Sequence, residues 1–145
     1  MGFFVMEPEA AGRPTSKPRS GSPVSCTFDT WLGDDFVRAH PHLLVTQRLK
    51  EALEDRRSFT GYAFAPAHVA PSPFYERHDP ARPWPTWWSV EVHGRAGHDD
   101  VGLTRDGSVV VSARVVEVLS GFVVLRATLR QYAPALGEEY RSRTA

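Results

Sequence analysis

Leu44-Val45-Thr46-Gln47-Arg48-Leu49-Lys50-Glu51-Ala52-Leu53 and Val110-Val111-Ser112-Ala113-Arg114-Val115-Val116-Glu117-Val118-Leu119 are the two stretches that decide the fold. They share one register: valine, a hydroxyl residue, arginine, glutamate and leucine recur at matching places. Leu43-Leu44-Val45 and Val109-Val110-Val111 read as short strands. Thr46 and Ser112 then stand where a helix N-cap belongs, because a hydroxyl oxygen accepts from the free N–H groups of a first turn. Leu49, Ala52 and Leu53 fall at helical spacing, with Lys50, Glu51, Glu54 and Asp55 on the wet side, which predicts a helix over 47–57. Ala113 to Leu119 predicts a second helix, stopped by Gly121. Each copy is followed by a strand candidate, so each reads as strand–helix–strand. One such unit cannot bury its own helix face, whereas two on a shared sheet can. The expected fold is α+β: a mostly antiparallel sheet with two short helices from this repeat.

Outward from the repeat, Val24 to Trp31 has enough β-formers for a strand. Gly33 breaks it, and Asp34 or Asp35 caps a helical turn over Phe36 to Ala39. Pro41 ends that turn, since the residue before proline disfavours helix. The Asp34-Asp35 pair therefore reads as a cap and a solvated neighbour rather than as an acid–base pair. Thr60 to Val69 is strand-like, and Pro66 places it at an edge or bulge. Such an edge is open to pairing with a second copy, which allows a homodimer. Residues 70–86 read as loop, Trp87 to His93 as strand, and Phe122 to Tyr132 as a long final strand. Pro8, Pro14, Pro18 and Pro23 punctuate a segment with little apolar surface to repay ordering, so residues 1–23 are expected to be a disordered tail. The domain is expected over 24–136, with a frayed end at 137–145.

A chain of 145 residues suits one domain. Lys plus Arg and Asp plus Glu balance at 17 each, so nothing demands the basic stripe of a nucleic-acid binder. No apolar run reaches the ~20 residues a bilayer span needs, and Gly2 to Met6 is too short for a signal-peptide core. The lone Cys26 cannot form an internal disulfide or a zinc ribbon. It reads as a small buried apolar residue, and an unpaired cysteine fits a reducing, cytoplasmic setting. There is no G-x-S-x-G, Walker A or G-x-G-x-x-G motif. The chain thus reads as non-catalytic and without a cofactor.

His93, His98, Asp99 and Asp100 are ligand-competent side chains. Their spacing matches no tight metal motif, and the intervening Gly94 and Gly97 point to a solvated hairpin tip, so no metal is expected there. His40-Pro41-His42 is read the same way. Trp84, Trp87 and Trp88 with Tyr75 and Phe74 stand out more. A strand sends Trp87 and Trp88 to opposite faces, and an exposed tryptophan in a rigid loop makes a good interface anchor. The partner-binding candidates are Trp84, Trp87, Trp88, Tyr75, Arg82, Asp99 and Asp100, on the loop from Pro71 to Trp88 together with the Gly94 to Asp100 turn. A small second core under the loop is the structural alternative. A small molecule beneath the tryptophans, or a metal at His93, His98 and Asp99, is the functional one.

The phrase LVTQRLKEAL, its echo VVSARVVEVL and the preceding DVGLTRDGS resemble a segment of immunity proteins from bacterial polymorphic toxin systems, in which a short strand enters a capped helix of the form V-x-S-x-R-h-x-x-h-L, with h apolar. The resemblance covers residues 43–57 and 101–120. Related myxobacterial proteins add paired CxxCG motifs. This chain lacks those cysteines, so zinc is not carried over. The resemblance implies a protein that binds and neutralises a cognate toxin, and it implies no catalytic residues.

Overall fold

Thr46 and Ser112 enter their helices with the same backbone conformation, φ/ψ of −72°/159° and −74°/162°. The structure is a computed structural model that describes residues 2–15, 23–55, 59–78 and 83–133. In chain order these form β1 (Phe3–Glu7), β2 (Glu9–Ala10), β3 (Gly12–Pro14), β4 (Val24–Phe28), β5 (Phe36–Ala39), β6 (His42–Thr46), α1 (Gln47–Glu54) and β7 (Tyr62–Pro71). There follow α2 (Pro73–His78), β8 (Trp87–Val92), β9 (Val101–Leu103), β10 (Val109–Ser112), α3 (Ala113–Leu119) and β11 (Thr128–Gln131). The class is α+β, as the repeat predicts, with the two repeat helices joined by the short α2.

Two sheets carry the chain. One is antiparallel throughout, in the order β11-β1-β10-β9. The other, β2-β5-β6-β8-β7-β4-β3, is mixed, with β2–β5 and β4–β7 the parallel pairs. Period-two alternation buries the middle of the larger sheet on both faces. Phe36, Val45 and Val90 point into a first core with Met6, Val109 and Val111 of the smaller sheet. Leu49 and Leu53 of α1 and Val115 and Leu119 of α3 close that core, at matching repeat positions. Val37, Ala39, Leu44 and Trp87 point the other way, into a second core with Cys26, Phe28, Trp31 and Tyr75.

The N-terminal expectation differs from the structure. Where it is described, the supposed tail is sheet: β1 lies between β10 and β11, with Val5 opposite Val110 and Met6 opposite Val109. Phe3-Phe4-Val5-Met6 is a strand-forming run whose apolar side chains outweigh the proline-rich composition around it. Pro14 sits on β3, an edge strand, where its missing N–H is tolerated. Residues 16–22 lie outside the described residues, as does the frayed end expected at 137–145.

Three local expectations are also corrected. Phe36 to Ala39 is β5, not a helical turn, and hairpins with β6 through a cis His40–Pro41 peptide. Residues 122–127 are irregular rather than the start of a long strand, because several of their N–H groups go to carboxylates. The proline-rich loop hides α2, whose cap was legible: Ser72 Oγ accepts from Tyr75 N–H at 3.1 Å and Pro73 takes the first helical position. Pro66 lies inside β7, where the pairing changes partner. Tyr62 to Pro66 pair with β8 and Ala67 to Pro71 with β4.

Candidate functional site

Asp35 precedes β5 and is 2% exposed. A carboxylate so placed must find donors, and it does. Its Oδ1 accepts from Thr46 Oγ1 at 2.6 Å and from Arg48 Nε at 2.7 Å, and its Oδ2 from Arg48 Nη2 at 2.5 Å and from Val123 N–H at 2.9 Å. Burial raises the Asp35 pKa, but the bonds from Arg48, Thr46 and Val123, with the Arg48 charge, outweigh it and hold the carboxyl below its ordinary range. The Thr46 hydroxyl is thereby spent on Asp35 and makes no side-chain cap bond.

The second copy repeats the aspartate–hydroxyl pairing, although Ser112 Oγ also caps its helix by accepting Val115 N–H at 3.3 Å. Asp100 Oδ1 accepts from Ser112 Oγ at 2.7 Å, and the Ser112 N–H donates to the Asp100 carbonyl at 2.8 Å, as Thr46 N–H does to Asp35 at 3.0 Å. Each aspartate also grips the segment after the other copy's helix. Asp35 holds Val123, which follows α3, and Asp100 Oδ2 accepts from Thr60 N–H at 3.1 Å, which follows α1. The arginines cross in the same sense: Arg48 stands 5.5 Å from the Phe122 ring and Arg114 5.0 Å from the Phe59 ring. The repeat therefore extends back from the helices to Asp34-Asp35 and Asp99-Asp100, and the two copies clasp each other.

What both copies do is architecture. What one does alone is the better guide to function, and they part at the preceding aspartate. Asp99 Oδ2 turns back to Arg95 N–H at 2.7 Å. Asp34 instead takes Leu125 N–H at 3.2 Å and Arg126 N–H at 2.8 Å on its two oxygens, while its carbonyl accepts Trp31 Nε1–H at 2.8 Å. Residues 122–127 are thus pinned by two buried carboxylates. Pinned there, Leu125 is 83% exposed, with Val123 exposed beside it and Leu32 exposed two residues before Asp34.

The tryptophan candidates separate. Trp87 is 3% exposed and packs edge-on against Phe28 at 5.0 Å and Trp31 at 5.3 Å. Trp84 is half-buried, sits 5.5 Å from the buried Tyr75 ring, and donates Nε1–H to Val69 O at 3.0 Å. Trp84, Trp87 and Tyr75 thus fill the small core under the loop. Trp88 lies on the opposite face, bonded through Nε1 to Gln47 Oε1 at 2.5 Å and covered by Lys50 Nζ at 4.3 Å. Arg82 is outside the described residues. Asp99 and Asp100 follow the far end of β8, about 17 Å along the strand from Trp87, so Trp87 and the turn stand at opposite ends of that strand.

The metal alternative finds no cluster. Among the described residues no group of three or more His, Cys, Asp or Glu is placed to hold an ion. Arg95 N–H, which binds the carboxylate, with His98 and His93 nearby, holds Asp99 below its ordinary pKa. The buried Cys26 thiol is pushed up to about 11 by desolvation, which keeps it protonated and unreactive. A cleft of about 810 Å³ opens where the β5–β6 and β9–β10 turns face each other, between Arg38, His40 and His42 on one side and Asp106 and Ser108 on the other. No helix among the described residues is long and apolar enough to cross a membrane. No protein-family model matches the chain, and no curated protein matches it.

The sequence reading missed the Leu125 loop because it took 122–132 for strand. The available signal was the Asp-Asp pair repeated before each strand–helix unit, at 34–35 and 99–100.

Proposed function

We propose that the chain is a non-catalytic, cytoplasmic protein-binding domain of the immunity type, which neutralises a cognate bacterial toxin by covering part of its surface. The observation that carries the reading is the pinned 122–127 loop. An exposed leucine on a backbone already fixed by buried carboxylates loses little entropy on docking, which is what an interface anchor requires. The resemblance of the strand-to-capped-helix phrase to a segment of immunity proteins supports the same reading and suggests a toxin as partner class. The interface is centred on Leu125, Val123 and Leu32, in place of the tryptophan loop.

Co-expression with the protein encoded beside this one tests it. The expected result is a stoichiometric complex on pull-down and relief of the growth arrest that the neighbour causes alone. Absence of both would remove the immunity reading. A metabolite that instead shifts the amide resonances of Arg38 and His42 would move the function to the cleft between the hairpin turns.

A further inference from the structure

The segment that carries Leu125 bears one sign of charge. Residues 121–133 include Arg126 and Arg130 and no Asp or Glu. Arg48, whose side chain is 60% exposed, reaches the same place over the Phe122 ring. Two acids beside them are occupied within the fold, and the exposed Glu7 lies across from Thr128 on β1. Asp34 and Asp35 are 1% and 2% exposed, and their oxygens are taken by Leu125, Arg126, Val123, Thr46 and Arg48. Glu9, at the Leu32 end, accepts Leu32 N–H at 3.1 Å. An apolar centre with a cationic rim selects its partner by sign, since like charges brought together across an interface are strongly unfavourable. A second copy of this chain related by a twofold axis would set the same arginines face to face. A nucleic-acid backbone would satisfy the arginines but offers nothing to a leucine that is 83% exposed.

Resting on the protein-binding reading above, we propose that this face docks on a protein surface with an apolar pocket rimmed by carboxylates. Leu125 fills the pocket. Arg126 pairs with the rim, and Arg48 adds the guanidinium donors that Asp35 leaves free.

The test uses the full chain and the neighbour-encoded protein, titrated at about 0.05 M and about 0.5 M salt. The expected result is a complex weakened about tenfold or more at high salt and by Arg126→Glu, with a smaller loss for Arg126→Gln. Arg95→Glu, beyond β9 and so at the opposite edge of the smaller sheet from β11, should leave binding unchanged. Arg126 joins the fold's described hydrogen bonds only through its backbone N–H, so unchanged melting curves are expected for both of its variants. A complex indifferent to salt and to Arg126→Glu overturns the acidic-partner proposal while leaving the protein-binding reading intact. No complex and no relief of growth arrest overturn both.

Discussion

At Asp35 a buried carboxylate ties a hairpin, a helix start and a distant loop together, so its protonation should register in stability. Its pKa in the fold lies below the ordinary carboxylate value. The stabilisation is therefore complete above the unfolded pKa of about 3.9 and is lost as pH falls through the lower folded value. The melting temperature should hold from neutral pH to about 4 and then drop. Asp35→Asn should start lower and lose part of that acid limb. Identical acid limbs in the two proteins would show that Asp35 does not couple to folding. Trp84 makes the complementary case. Because it packs in the second core, Trp84→Ala should cost about 3 kcal/mol in denaturant unfolding. Its effect on binding should vanish once the fraction folded is taken into account. A variant as stable as the parent would return Trp84 to the interface.

Among the elements, the helices were the most legible part of the sequence. Thr46 and Ser112 mark both starts, and the apolar spacing places Leu49, Leu53, Val115 and Leu119 in the core. The segments around them were less legible, since their conformation depends on partners far along the chain. Phe36 to Ala39 looks like a capped turn until β6 pairs with it, and Val123-Val124-Leu125 looks like a strand until Asp34 and Asp35 take its N–H groups. Local propensity cannot see a hydrogen bond across some ninety residues. The same bonds supply a test. Asp34→Ala should speed hydrogen exchange at Leu125 and Arg126 and cost about 2 kcal/mol, since it strips two N–H groups of their acceptor. Unchanged exchange at both amides would mean that the loop is held by something other than Asp34.

Across the whole molecule, two related halves exchange grips, and the N-terminal strand completes the smaller sheet between β10 and β11. The composition of residues 1–23 concealed that role, because the prolines that suggest a tail follow a strand of four apolar residues. Removing residues 1–5, so that the chain starts at Met6, should abolish cooperative unfolding, as β10 and β11 lose the strand that joins them. A truncated chain that melts like the full one would show that β1 is dispensable. The repeat says how the halves clasp, and only their difference, a leucine loop pinned on one side and a closed turn on the other, singles out a surface. The most direct measurement is therefore the dissociation constant of the complex with the neighbour-encoded protein, for the parent chain and for Leu125→Asp. Weakening by about thirtyfold or more, with an unchanged melting temperature, is the expected result. Parent-like affinity in that variant would place the interface elsewhere and contradict the anchoring role of residues 122–127.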